Sequence, residues 1–389
     1  MRVIHVITRL VVGGAQENTV ATVLGLREKP GIQVQLISGP TLGPEGSLEP
    51  EIKSIPGLLA VIPDLVRPVH PFHDFRAVKT LENIFREQKP DVVHTHSGKA
   101  GILGRLAARR AGVPIIIHTI HGPSFGTFQN GLGNFVFSSA ERYVAPMTTH
   151  FVVVAEAMKT QYLAAGIGKP EQYTKIFSGF PLEPFLAAKN DLELRKRLGF
   201  EQDDFVVGKI ARLFKLKGHD DLLGAAPELI RQNPKIKFLL VGDGEWRGRL
   251  EARAKDLGIE KNIAFTGLVP PEEVPRYVGI MDALVHLSLR EGLPRTLPQA
   301  LAAGKPVIAY DCDGAREACL DGQTGFLVRP GDLSALRTRL LQLAGDPMLR
   351  EKLGKTGSEY VREHFAVEKM VDAIYNLYQK LAAERGIRP

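Results

Sequence analysis

Short β-branched runs (VIHVIT, IQVQLIS, DVVHTH, PIIIHT and FVVVA) alternate along the chain with longer amphipathic stretches. Strands that each precede a helix form parallel βαβ units, so this alternation commits the chain to an α/β fold. Its 389 residues exceed what one hydrophobic core usually supports and fit two domains. Between Lys175 and Asp191 the pattern is interrupted by Gly179, Pro181 and Pro184, and it restarts at FVVGKIAR. The expected division is a first domain over residues 1–179, a second over 180–366 and a C-terminal helix over 367–389. Residues from Met348 onward carry no strand pattern and form two helices separated near His364 and Phe365.

The two halves echo each other. VITRLVVGGA overlays KIARLFKLKG, with Arg9 matching Arg212, each at a strand end ahead of a helix. DVVHTHS is followed by a helix ending AGVPIII, as DALVHLS is followed by one ending AGKPVIA, and Asp91 to Pro114 spans nearly the same distance as Asp282 to Pro306. Two similar doubly wound domains follow. Ligands of such folds bind outside the carboxyl ends of the parallel strands, and two facing domains are expected to line a shared cleft with those ends.

Composition excludes more than it selects. With 44% hydrophobic and 24% charged residues the chain is neither disordered nor fibrous. The net charge is +7, and residues 1–180 hold 18 basic against 13 acidic side chains. That excess is not clustered as in nucleic-acid binders, so no nucleic-acid partner is expected. Cys312 and Cys319 have no disulfide or zinc-ligand spacing, which points to buried thiols in a reducing cytoplasm. The apolar start from Val3 to Val12 is broken by Arg9 and ends at Gly13-Gly14, a first strand rather than a signal peptide. The charge-free run from Ala111 to Ala140 contains Pro114, Pro123, glycines and histidines, so no transmembrane helix is expected.

Three strand ends carry chemistry. Gly13 and Gly14 let backbone approach a phosphate ahead of a helix N-terminus. Arg212 and Lys217 stand just after a strand and at a helix start, where cations oppose the helix dipole unless an anion is bound. Glu291 stands at the end of DALVHLS, followed by a Gly-Leu-Pro turn and a helix beginning at Thr296 and Leu297, with Gln299 in its first turn. A carboxylate beside bound phosphates needs hydroxyl groups to hold, so phosphate and sugar together form the expected ligand. His94 and His96 share one strand face without a third metal ligand in view, and Asp311 with Asp313 is the nearest approach to a carboxylate pair. Arg105, Arg109 and Arg110 give one side of the first domain a basic character, with the aromatic FGTF and NFVF segments after His121.

Gly13-Gly14, the DVVHTH strand, His121 in HTIHG, Arg212 with Lys217, VGDG with Gly242, FTGLV, Glu291 in EGLP and DGQTGFLV between Gly322 and Val328 occur in one order over nearly the whole chain. Together they resemble the retaining glycosyltransferases of family 4. The resemblance implies a GT-B fold, two facing Rossmann-like doubly wound domains with the C-terminal helix crossing back onto the first. It implies that the second domain binds a nucleoside-diphosphate sugar and the first a glycan or lipid-linked acceptor, in cell-surface polysaccharide or glycolipid synthesis. Arg212 and Lys217 would then neutralise the diphosphate, Glu291 would hold donor-sugar hydroxyls, and His121 would contact that sugar from the first domain. Gly267, Leu268 and Val269 would lie against the base, and Thr296 and Leu297 would offer amides to the diphosphate. Gly13, Gly14, Gly242, Gly292 and Leu293 complete the expected donor site. A metal-independent enzyme without a resident cofactor follows, cytoplasmic or peripheral on an anionic membrane face.

The family motif pairs two glutamates, and Gln299 stands at the second place, removing one negative charge near the diphosphate. Altered nucleotide affinity rather than lost chemistry is expected. The usual Asn-Gly before the linker is Ser178-Gly179. Competing classes are a nucleotide-sugar-binding protein or epimerase of the same architecture and, more remotely, an NAD-dependent oxidoreductase. The last is weakened by Arg247 at the third glycine place after Gly242 and Gly244.

Overall fold

The computed structural model describes residues 1–42, 46–126 and 129–387. The chain forms two compact units, Met1–Phe180 with Ala366–Pro389, and Pro181–Phe365. In the first unit β1 (Arg2–Ile7), β2 (Gln33–Ser38), β3 (Leu59–Val61), β4 (Val92–His96), β5 (Ile115–Ile120), β6 (His150–Val153) and β7 (Tyr173–Lys175) form one parallel sheet, ordered β3-β2-β1-β4-β5-β6-β7. In the second, β8 (Phe205–Ile210), β9 (Ile236–Val241), β10 (Ile263–Phe265), β11 (Ala283–His286), β12 (Val307–Tyr310) and β13 (Gly325–Val328) are ordered β10-β9-β8-β11-β12-β13. Both sheets therefore wind outward from their first strand in the same sense, the Rossmann-like pattern.

The sequence echo falls on equivalent strands: DVVHTH gives β4 and DALVH gives β11, the fourth strand of each unit, while the AGVP and AGKP stretches enter the fifth. The matching aspartates do the same work. Asp91 accepts the Arg2 amide at 2.7 Å, and Asp282 accepts the Val206 amide at 2.8 Å, so each pins the entry of a central strand.

One face of the first sheet is covered by the helices Pro71–Gln88 and Gly98–Arg110, which pack Val78, Leu81, Phe85, Ala100 and Ala107 against Ile4, Val6, Val93 and Ile116. The other face receives the C-terminal helix Val367–Glu384, whose Met370, Val371, Ile374, Leu377, Tyr378 and Leu381 recur at helical spacing and are all buried. This helix lies so close to the helix Gly14–Arg27 that a Cβ on Gly25 would stand 2.5 Å from Val371 Cγ2. The preceding helix, Pro347–His364, belongs to the second unit, and the chain changes unit between Phe365 and Ala366.

The basic face expected on the helix Gly98–Arg110 is smaller than its sequence suggests. Arg105 is fully buried, donates to Glu141 Oε2 at 2.6 Å and to the Gly101 carbonyl at 2.7 Å, and contributes no surface charge. Gly101 and Gly104 bring this helix close to the sheet, since a Cβ on Gly101 would stand 2.4 Å from His118 Cε1 and one on Gly104 2.7 Å from Thr95 Cγ2. Arg109 and Arg110 remain exposed. Of the aromatic segments, Phe125 is buried and Phe135 exposed, while Thr127 and Phe128 lie outside the described residues. Among the described residues no helix is long and apolar enough to cross a membrane.

Candidate active site

In the second unit, the loops leaving β8 and β11 meet. The β8 loop carries Arg212 and Lys217 to the helix His219–Gln232, and the β11 loop carries Glu291 to the helix Thr296–Ala302. Leu216 joins the two: it adopts φ 73°, a left-handed conformation costly for a branched side chain, and its carbonyl accepts from the Leu289 amide at 2.9 Å and Ser288 Oγ at 3.3 Å. Gly218 follows at φ 67°, where a Cβ would come within 2.1 Å of the Leu287 carbonyl oxygen. These constraints deliver the Lys217 ammonium onto Glu291 Oε1, with the two side chains only 17% and 22% exposed. The anion that the helix-dipole argument demands beside Lys217 is thus supplied within the protein.

Several groups hold Glu291. Its amide donates to Asp313 Oδ2 at 2.8 Å, and its carboxylate lies 3.5 Å from His286 Nε2. His286 Nδ1 in turn meets Thr296 Oγ1 at 3.2 Å. Burial by itself would raise the Glu291 carboxyl, but the Lys217 ammonium and the His286 imidazole outweigh it and hold the group well below the ordinary carboxylate range. Asp313, half-buried and facing this carboxylate, moves the other way. Asp311 bridges to Arg316 instead, so the Asp311 and Asp313 carboxylates turn to different partners.

Arg212 lays its guanidinium over the Phe214 ring at 4.7 Å, and the Lys217 ammonium stands 5.8 Å from the same ring. Gly242 and Gly267 pair across one backbone bridge, with the Gly242 amide donating to the Gly267 carbonyl at 3.0 Å. At φ 134° Gly242 runs so near β8 that a Cβ would meet the Ala211 carbonyl oxygen at 2.2 Å. Leu268 is exposed and Val269 half-buried beside them, while Gly292 and Leu293 are buried. The amide of Leu297 does not match its expected role: it donates to the Pro294 carbonyl at 3.2 Å, because the turn before this short helix closes on itself. Gln299 is the fourth residue of that helix and is half-buried.

Lys209 was not among the expected residues. It is 1% exposed on β8, and burial, reinforced by Lys217, pushes its pKa down to about 7. A lone cation within the apolar run VVGKIA is the signal that could have found it. His286 is the second such residue, hidden within a strand that otherwise packs the core.

The first unit holds the remaining expected residues. Gly13 has extended φ of 170°, and its carbonyl accepts the Glu17 amide at 2.9 Å as the helix Gly14–Arg27 begins. His121 follows β5 directly and faces His96, with 3.0 Å between its Nε2 and His96 Nδ1. A third imidazole joins His94 and His96, correcting the view that none was near: His5, from β1, pairs in register with His94, and one ligand atom from each of the three lies within 4.8 Å of the others. His94 stacks on His96 at 4.4 Å and 26°, whereas His5 meets His96 edge to edge, the rings 13° apart with centroids 5.1 Å apart. The facing nitrogens, His5 Nδ1 and His96 Nε2, already bond to each other at 2.9 Å and are thereby occupied. This is hydrogen-bonding geometry rather than a metal cage.

Two units, each a doubly wound parallel sheet, with a basic, glycine-bounded loop cluster at the strand ends of the second, have the architecture expected of a GT-B fold. Residues 12–182 match the family described as Glycosyltransferase Family 4, and residues 190–360 match Glycosyl transferases group 1. The chain is 30% identical over 321 residues to the UDP-Gal:alpha-D-GlcNAc-diphosphoundecaprenol alpha-1,3-galactosyltransferase of Escherichia coli, covering 82% of each chain. It is 25% identical over 337 residues to the capsular polysaccharide biosynthesis glycosyltransferase CapM of Staphylococcus aureus, covering 85% of this chain and 88% of that one. In fold it is similar to HepE of Anabaena, solved in complex with UDP, at a TM-score of 0.82 and 21% identity over 98% of this chain and 100% of that one. The chain belongs to glycosyltransferase family 4. It is a glycosyltransferase, and the oxidoreductase and epimerase alternatives fall away.

Proposed function

We propose that the enzyme transfers a sugar from a nucleoside-diphosphate donor to a glycan or lipid-linked acceptor, with retention at the anomeric carbon and without a metal ion. The observation that carries this is the Lys217–Glu291 pair beside Arg212, at the meeting of the β8 and β11 loops. Departure of a nucleoside diphosphate leaves negative charge on phosphate oxygens, and Lys217 and Arg212 stand where a metal would otherwise stabilise it. On donor binding Lys217 turns to phosphate, which leaves Glu291 for the sugar hydroxyls. Thr296 offers its amide, Gly242, Gly267, Leu268 and Val269 flank the base, and His121, with Gly13 and Gly14, serves from the first unit. The Escherichia coli relative is named for a UDP-sugar donor and a diphosphoundecaprenol-linked acceptor, which supports this donor and acceptor class.

Screening nucleoside-diphosphate sugars for hydrolysis, then determining the anomeric configuration of the transfer product by NMR, tests the proposal. Retained configuration with activity unchanged by chelator is expected. An inverted product, or activity abolished by chelator and restored by magnesium, overturns it.

A peripheral membrane location has its own support. On the helix Gly131–Val144, Leu132, Phe135, Val136 and Tyr143 are each more than half exposed and recur at helical spacing. This apolar stripe suits the cytoplasmic face of a membrane that presents a lipid-linked acceptor. Flotation with anionic vesicles is expected to carry the protein, and its absence from the vesicle fraction contradicts this location.

A further inference from the structure

Five hydrogen bonds form an unbroken line through the interior of the first unit. Thr119 Oγ1 meets His94 Nε2 at 2.6 Å, and His94 Nδ1 meets the Tyr378 hydroxyl at 2.5 Å. The same hydroxyl meets His5 Nε2 at 3.2 Å, His5 Nδ1 meets His96 Nε2 at 2.9 Å, and His96 Nδ1 meets His121 Nε2 at 3.0 Å. Thr119, His94, His5 and His96 come from the three central strands β5, β4 and β1, and Tyr378 comes from the C-terminal helix. Tyr378, His5, His94 and His96 are at most 1% exposed.

Burial keeps each interior ring neutral. It pushes His5 down to about 3 and holds His94 and His96 well below their ordinary value, and it raises the Tyr378 phenol. A neutral imidazole donates from one nitrogen and accepts at the other, and the tyrosine hydroxyl has one proton to give. Two proton arrangements satisfy all five bonds and also give the Tyr378 proton an acceptor; a third, with His94 Nδ1–H and His5 Nε2–H both donating to the hydroxyl oxygen, leaves that buried O–H without one among the described residues. If Tyr378 donates to His94, it accepts from His5 Nε2–H, His96 Nε2–H donates to His5, and His121 Nε2–H donates to His96. All four histidines then carry their proton on Nε2. If Tyr378 donates to His5 instead, every bond reverses and all four carry it on Nδ1. The distances choose between them, since the hydroxyl lies much closer to His94 than to His5, 2.5 against 3.2 Å, as befits a donor to the first and an acceptor from the second.

We propose that Tyr378 fixes, through His5 and His96, which nitrogen of His121 carries the proton, so that His121 holds it on Nε2 and keeps Nδ1 as a hydrogen-bond acceptor. The C-terminal helix thereby supplies a positioning residue for the reaction. That last role rests on the proposal that His121 meets the donor sugar; the proton arrangement itself does not.

Histidine labelled with ¹⁵N in the imidazole ring, read by two-bond proton–nitrogen correlation in the full chain at neutral pH, reports each tautomer directly. In the unaltered protein His5, His94, His96 and His121 are all expected as Nε2–H, and any mixed set overturns the proposal. Tyr378→Phe keeps the ring but removes the hydroxyl, leaving His5 Nε2–H without an acceptor. A buried N–H without a partner is rarer and costlier than a buried lone pair, so the line reverses. His5, His96 and His121 are expected to exchange their N–H and bare-nitrogen signals while His94, still bonded to Thr119, does not. An unchanged His121 in a variant that melts as a folded protein overturns the proposal. If that variant does not fold, the tautomers of the unaltered protein decide alone. Reversal of His121 accompanied by loss of turnover at unchanged KM supports the positioning role. Reversal with unchanged turnover removes His121 from the reaction while leaving the relay in place.

Discussion

In the first unit the adjacent central strands β1 and β4 carry His5, His94 and His96 into the interior, whereas the matching strands β8 and β11 of the second carry Lys209 and His286. The backbones wind alike, and both sets lie close to strand ends that hold expected site residues. A parallel sheet covered on both faces leaves an ionisable side chain two options, to lose its charge or to find a partner. The first unit takes the neutral course, linking imidazoles in a line. The second takes the charged one, setting Lys217 against Glu291 and leaving Lys209 on the margin of protonation. One winding thus supports a line of hydrogen-bonded imidazoles in one half and a charge pair, at the proposed anion site, in the other.

The largest effect that separates the units concerns Arg105. Glu141→Ala leaves its guanidinium buried and unpaired, and should cost about 3–5 kcal/mol, read as an early loss of the first unit in urea unfolding. A loss below about 1 kcal/mol, the ordinary worth of a surface pair, means that solvent reaches this pair.

Acid should divide the units next. Buried His5, His94, His96 and His118 have folded-state pKa values below the ordinary 6.5, so the unfolded chain binds protons that the folded unit refuses. Stability is full above pH 6.5 and declines as pH falls through that value toward 3, where His5 itself titrates. The second unit buries His219 and His286 alone. It also contains the chain's one tryptophan, Trp246. On acidification, far-ultraviolet circular dichroism should therefore change before Trp246 fluorescence. The reverse order would mean that the second unit is the more acid-sensitive.

Lys209 supplies a smaller effect of the same kind. Its folded pKa near 7 lies below the ordinary 10.5, so its contribution to stability is complete only above 10.5 and declines as pH falls toward 7. Lys209→Met should flatten the rise in unfolding free energy between these pH values, and an unchanged slope removes the lysine from the second unit's electrostatics. The smallest effect is expected at Gln299. Gln299→Glu restores a negative charge near the proposed diphosphate and should alter donor affinity by about 2- to 10-fold, an interaction of roughly 1 kcal/mol, with little change in kcat.

The echo between halves made the winding legible because Asp91 and Asp282, and the AGVP and AGKP stretches, recur at matched spacing and fold onto equivalent strands. Local patterns also located Arg212, Lys217 and Glu291, since strand ends and helix starts are short-range features. What stayed hidden depends on register between distant segments. His5 reaches His94 only because β1 and β4 pair across 89 residues, and Tyr378 reaches both from the far end of the chain. Arg105 looked exposed because its counter-charge, Glu141, lies 36 residues away on another helix. The amide of Leu297 looked available because a helix start gives no sign of a turn that closes on Pro294.

The central claim is that the second unit's cations stabilise a departing diphosphate, and Lys217→Ala tests it most directly in a defined donor assay. Removal of one preorganised charge donor should lower kcat by about 100- to 1000-fold, about 2.7–4 kcal/mol of transition-state stabilisation, in a protein whose melting is otherwise preserved. Turnover within a few-fold of the unaltered enzyme would contradict the account.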